Sequence, residues 1–161
     1  MELPHTAGCL VCGRQNPHGL KLSLDVDEST GVVSVHFTPR REHIGFEGIV
    51  HGGVLATVLD EAMVWAATWA GKQFCVAGEM SVRFRRSAGV GEPLRVEARV
   101  ESARARLIQT SGRVTDGAGA VIAEATGKYV PVPPERHQHV LTTLVDEPAT
   151  AGAASRLKEG T

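Results

Sequence analysis

Val50-His51-Gly52-Gly53-Val54-Leu55-Ala56-Thr57-Val58-Leu59-Asp60-Glu61-Ala62-Met63-Val64-Trp65-Ala66-Ala67-Thr68-Trp69-Ala70-Gly71 is the stretch that decides the fold. Two glycines after a histidine are poor helix interior but a good helix start. They let the backbone approach a ligand and leave the first N–H groups free. Such an N-terminus can polarise a carbonyl or hold an anion. From Gly53 to Ala70 the residues are apolar on nearly every side, which predicts a buried helix rather than an amphipathic one. Gly71 is its expected stop. Asp60 and Glu61 interrupt the pattern. Two adjacent carboxylates in such a helix are costly unless they are paired or used.

Spacing adds a geometric constraint. Asp60 lies nine residues past His51. On an α-helix that is roughly 13–14 Å along the axis and about half a turn out of phase. One helix does not easily point both groups at one substrate atom, whereas two antiparallel copies across a two-fold axis do. A catalytic site built from these residues is therefore expected to be shared between two chains.

Outward from the helix, the pattern changes to period two. Leu20 to Asp27 alternates apolar and polar, Asp27–Gly31 reads as a turn, and Val33, Val35 and Phe37 complete a hairpin. Pro39 ends it, and residues 40–50 form a loop. After the helix, Met80, Val82 and Phe84 mark a third strand. Leu94, Val96, Ala98 and Val100 mark a fourth, Leu107–Thr115 a fifth and Val121–Val132 a sixth. Asp116-Gly117-Ala118-Gly119 is a hairpin turn, and Pro133-Pro134 closes the last strand. Short turns imply antiparallel pairing. The fold class is α+β: an antiparallel sheet of about six strands curled against one long helix. Apolar helix surface not facing the sheet needs another cover, which a second subunit would supply.

The 161 residues suit one domain with a substantial core. Residues 1–19 are expected to form a lead-in, 20–134 the main domain and 135–161 a mobile tail, because the last segment is polar and lacks periodicity. A net charge of −1 gives no broad attraction to nucleic acid or anionic membrane. Thr57, Asp60, Glu61 and Thr68 make the helix a poor membrane span. Met1–His5 lacks a basic-then-apolar signal pattern, and the three cysteines fit a reducing compartment, so a cytoplasmic location is expected.

Several residues carry two readings. His5, Cys9, Cys12 and His18 have a spacing that could suit zinc. A lone Cys-x-x-Cys is weak, and a lead-in folded onto the sheet explains it, so neither metal nor cofactor is expected. Arg83, Arg85 and Arg86, with Lys128, read as a solvated strand face. Trp65 and Trp69 are four apart and read as core or interface filling.

Taken together, these motifs resemble the hotdog fold and, within it, the PaaI-like acyl-CoA thioesterases. The resemblance covers Cys9 to Val132 and rests on Val50-His51-Gly52-Gly53, on Leu59-Asp60-Glu61-Ala62 and on the strand Glu79-Met80-Ser81-Val82-Arg83-Phe84. Cys9-Leu10-Val11-Cys12-Gly13, followed by Asn16-Pro17-His18-Gly19-Leu20, is similar to a lead-in of a bacterial branch of these proteins. The resemblance implies a sheet wrapped around the helix, homodimers that often pair into tetramers, and hydrolysis of an acyl-CoA or related thioester without a cofactor. The Gly52 N–H would hold the carbonyl oxygen, His51 would set the loop, and Asp60 of the partner chain would act as base or nucleophile. Glu61, Gly53, His43 and Ala77 are secondary candidates. Arg83, Arg85 and Arg86 would meet CoA phosphates, and Trp65 would line the acyl pocket. There are two departures: Gly45 stands where many relatives have Asn, and Ala77 where many have Ser or Thr. The alternative is a module that binds or senses an acyl thioester without turnover.

Overall fold

The structure is a computed structural model and describes residues 1–159. Its elements are β1 (Leu24–Val26), β2 (Val33–Phe37), α1 (Gly52–Gly71), β3 (Cys75–Phe84), β4 (Leu94–Arg104), β5 (Leu107–Thr115), β6 (Val121–Pro131), α2 (Pro134–Thr142) and α3 (Ala151–Lys158). The six strands form one antiparallel sheet in the order β1-β2-β4-β5-β6-β3. The sheet curls around α1, which packs on β2 through β6. This is the hotdog architecture, as the sequence pattern leads one to expect.

Val58, Leu59, Ala62, Met63 and Ala66 of α1 are fully buried. The sheet admits the helix through two glycines. A Cβ at Gly112 would lie 3.0 Å from Met63 Sδ, and one at Gly127 would lie 2.8 Å from Met63 Cε and 2.7 Å from Tyr129 Cε2. Glycine at 127 therefore makes room for both the helix and the Tyr129 ring. At the C-terminus of α1, Lys72 takes the left-handed turn with φ 52°.

The first strand is shorter than the alternation predicts. Lys21 has φ 57°, and residues 20–22 bond to the lead-in instead, Leu20 N–H to the Leu10 carbonyl (2.8 Å) and Leu22 N–H to the Val11 carbonyl (2.9 Å). The N-terminus also covers the outer edge of β1, with Leu3 N–H donating to Leu24 and Val26 N–H to Met1, both at 2.8 Å. The opposite edge, β3, has a strand partner only in β6 and presents Val76 and Phe84, each about half exposed. A ten-residue open edge that exposes these two apolar side chains is a pairing surface.

The mobile tail expected over residues 135–161 is corrected by the structure. The α2 and α3 helices fold back on the C-terminal half of α1. Ala153 and Leu157 are fully buried, and the Arg156 guanidinium lies 4.3 Å from the centre of the Trp69 ring. The buried His137 accepts the Phe74 N–H at 3.1 Å, and its other ring nitrogen meets the Leu157 carbonyl at 3.3 Å. The docking uses a few scattered residues on two short helices, so no periodic signal announces it. Gly160 and Thr161, at the end of the same segment, lie outside the described residues. Leu157→Ala is expected to cost about 2–5 kcal/mol of stability, the range for emptying a buried leucine site. Urea unfolding at unchanged m-value checks this; a loss below about 0.5 kcal/mol, the scale of a surface substitution, would show that the docking adds nothing. Among the described residues, no helix is long and apolar enough to cross a membrane.

Candidate active site

His51 caps α1 through its side chain. Its Nδ1 accepts the Gly53 N–H at 2.9 Å, its carbonyl accepts the Val54 N–H at 2.9 Å, and its own N–H donates to the His43 carbonyl at 2.8 Å. Among the described residues the Gly52 N–H has no hydrogen-bond partner. It is a bare donor at the positive end of a 20-residue helix. Gly53, by contrast, is consumed by the cap.

The loop before the helix is fixed by backbone and by His43. His43 is buried, its Nδ1 accepts the Arg40 N–H at 3.0 Å, and its ring packs on Phe37 at 5.5 Å. Burial, then the Arg40 charge, lowers its pKa. Gly45 donates its N–H to the Ile49 carbonyl at 2.9 Å. A Cβ there would lie 3.1 Å from His51 Cα, so this loop leaves little room for the asparagine that many relatives carry.

Gly52 opens onto a pocket of about 320 Å³ with Val50, Leu55, Phe84 and Arg86 in its walls. The Phe84 ring covers Gly52, since a Cβ at 52 would lie 3.2 Å from Phe84 Cζ. The three arginines separate. Arg86 lines this pocket, whereas Arg85 reaches it while paired to Glu124 at 2.8 Å. Arg83 lies in a larger groove of about 650 Å³ on the outer sheet face, among Glu97, Arg99, Glu101 and Arg113. Lys128 is paired to Glu79 at 2.9 Å. The outer groove touches neither Gly52 nor Asp60, and its charges largely neutralise one another through Arg99–Glu101 and Arg113–Glu97. The smaller pocket is therefore the candidate site.

Asp60 is half-buried on α1, and its Oδ1 accepts the Tyr129 hydroxyl at 2.8 Å. Tyr129 is fully buried on β6. Burial first, and the Asp60 charge second, hold its phenol well above the usual range, so it remains a donor. Ala77 sits directly across from Tyr129 in the β3–β6 pairing. Where the resemblance leads one to expect a Ser or Thr, the hydroxyl that reaches the carboxylate thus comes from the next strand. Sequence reading misses Tyr129, because a lone tyrosine in an alternating strand looks like core; only the sheet order brings β6 beside β3 and onto α1.

Glu61 points elsewhere. Its Oε1 accepts the Trp65 indole N–H at 3.2 Å, and the Cys9 thiol lies 3.7 Å away. Burial pushes its carboxyl up to about 7, with the Cys9 sulfur adding to the effect. Cys9 is lowered by its bond with Cys12, and Cys12 is raised by the same bond and by burial. Trp65 is buried, packs edge-on against Phe74, and is not among the side chains lining the Gly52 pocket. The spacing-based set of His5, Cys9, Cys12 and His18 does not assemble: His5 is buried 3.9 Å from Glu147, and His18 is exposed.

A long helix with an unused N-terminal donor, held in a curled antiparallel sheet, defines a hotdog protein. The family model of the thioesterase superfamily matches residues 47–123, from the loop before His51 into β6. A crystal structure of a thioesterase superfamily protein is 28% identical with a TM-score of 0.71, over 76% of this chain and 60% of that one. The chain thus spans less than two thirds of that protein's length. The E. coli PaaI protein of the phenylacetic acid degradation operon is 20% identical with a TM-score of 0.66, over 71% and 81% of the two chains. A Streptococcus mutans protein bound to acetyl CoA is 20% identical with a TM-score of 0.64, over 69% and 88%. No functionally curated protein matches. The thioesterase superfamily model thus matches just under half of the chain, and PaaI proteins are among its neighbours in fold.

Proposed function

We propose that the protein hydrolyses an acyl-CoA or a related acyl thioester, working as a homodimer that can pair into tetramers. The observation that carries this reading is the unpartnered N–H of Gly52, a residue that lines a pocket together with Arg86. Within one chain, Asp60 is eight residues along the same helix, about 12 Å away along the axis. A second copy joined along β3 would cover that open edge and bring its own Asp60 toward that pocket.

The chemistry follows from the groups. The thioester carbonyl oxygen accepts the Gly52 N–H, and the helix end stabilises the negative charge that develops there. The Asp60 carboxylate of the second chain takes a proton from water, whose oxygen attacks the carbonyl carbon. Collapse breaks the C–S bond, and the thiolate leaves and is protonated. In the direct variant Asp60 itself attacks, and water then cleaves the mixed anhydride. Arg86 is placed to meet a CoA phosphate. Tyr129 holds one carboxylate oxygen and leaves the other free.

Free-thiol release from a panel of acyl-CoAs tests the reading. Tyr129→Phe is expected to lower kcat about ten- to a hundredfold with KM little changed, as expected for losing a hydrogen bond to a charged group worth about 1.5–3 kcal/mol. No release from any member of the panel, with acyl-CoA still bound, would replace hydrolysis by thioester binding.

A further inference from the structure

Cys9, Cys12 and Glu61 offer donor atoms that all lie within 4.8 Å of one another. They come from two distant parts of the chain, the lead-in and the middle of α1. We propose that this cluster is a zinc site in which two thiolates and one carboxylate bind the ion, with water as the fourth ligand, and that the ion fastens the lead-in to α1. This departs from the expectation of no metal and lies outside the thioesterase reading.

Three observations carry it. First, the separations fit. Zn–S of about 2.3 Å and Zn–O of about 2.0–2.2 Å at tetrahedral angles put sulfur and oxygen about 3.5–3.7 Å apart. Cys9 Sγ lies 3.7 Å from Glu61 Oε1 and 3.9 Å from Oε2.

Second, the loop is built around the first sulfur. The N–H groups of Val11 and Cys12 both point to Cys9 Sγ, at 3.4 and 3.5 Å. Donors aimed at a sulfur favour its thiolate, the form that binds metal. Gly13 closes the turn with its N–H on the Cys9 carbonyl at 3.1 Å, and a Cβ there would fall 2.4 Å from that oxygen. No other residue fits at 13, so Cys-x-x-Cys-Gly is read as one structural unit.

Third, Glu61 has no basic partner. None of the ion pairs among the described residues includes it; its neighbours are two sulfurs and the Trp65 indole. A carboxylate drawn out of water is ordinarily paired or metal-bound. The Trp65 N–H on Oε1 would serve as the outer hydrogen bond that orients a ligating carboxylate. Cys9 and Glu61 are both partly exposed while Cys12 is buried, so solvent can reach the cluster to supply the fourth ligand. Two sulfurs and one oxygen select zinc over magnesium or calcium, which prefer oxygen alone.

The test uses the full chain, reduced, stripped with chelator and then titrated with zinc alone. The expected result is one tightly bound zinc per chain, a raised melting temperature and protection of two thiols from alkylation. Cobalt in place of zinc should give thiolate charge-transfer absorption. Cys9→Ser/Cys12→Ser should lose both the binding and the absorption, and Glu61→Gln should bind at least about tenfold more weakly, the low end of what losing metal-site support costs. Where the double variant fails to fold, the alkylation assay on wild type decides, because two thiols equally reactive with and without zinc would overturn the proposal. So would equal zinc binding by the folded double variant, or a Cys9–Cys12 disulfide in protein isolated without reductant that zinc and thiol together do not convert.

Discussion

Asp60→Asn is expected to cut turnover of a good acyl-CoA at least about a hundredfold, the scale of losing a general base, while KM changes little. The amide has the same shape and still accepts the Tyr129 hydroxyl that bonds Oδ1 at 2.8 Å. It cannot take a proton from water or attack a carbonyl. Folding and dimerisation should therefore survive, and the loss should fall on kcat. The neighbouring Glu61→Gln is the control. Its carboxylate is committed to Trp65 and the Cys9 sulfur, away from Tyr129, so its cost in kcat should be clearly smaller. Steady-state thiol release checks both. Equal losses at 60 and 61, or a loss at 60 confined to KM, would remove Asp60 from the chemistry.

The contrast between these adjacent carboxylates shows what could be read in the sequence. The helix, its histidine start and the two acids are legible because an apolar run of that length admits few other structures, and neighbouring helix positions point about 100° apart. Most strands are legible because burial alternates along β1, β2, β4 and β5, whereas β3 and β6 depart from it over part of their length. The partners of the acids are not legible. Tyr129 is 69 residues from Asp60 and Cys9 is 52 from Glu61. Only the sheet order and the path of the lead-in bring them together. The cysteine spacing pointed to histidines as co-ligands, because spacing looks only along the chain; the structure supplies a carboxylate from α1 instead. The tail failed for a related reason. A few contacts, with Leu157 buried and Arg156 over Trp69, hold two short helices without any run of apolar residues.

Gly52→Pro is expected to lower turnover about 10²- to 10³-fold, the range for deleting one oxyanion donor, with the fold retained. Position 52 is the first residue of the helix, where proline is well tolerated and its missing N–H breaks no internal bond. The residue before a proline must be extended, and His51 already is, at φ −62° and ψ 129°. The one crowded contact is the Phe84 ring edge, 3.2 Å from the new Cβ, on a side chain half exposed at the end of β3. Melting temperature should thus change little while activity falls. The variant then allows the two-chain site to be tested directly. A mixed dimer of one Gly52→Pro chain and one Asp60→Asn chain has one site with Gly52 and Asp60 both intact and one with both lost, provided each site draws the two residues from different chains. Activity should return to about half that of wild type per dimer, although each parent homodimer is nearly inactive. If both residues came from the same chain, every site in the mixed dimer would be broken, and the mixture would show no recovery once mixing had been verified by mass.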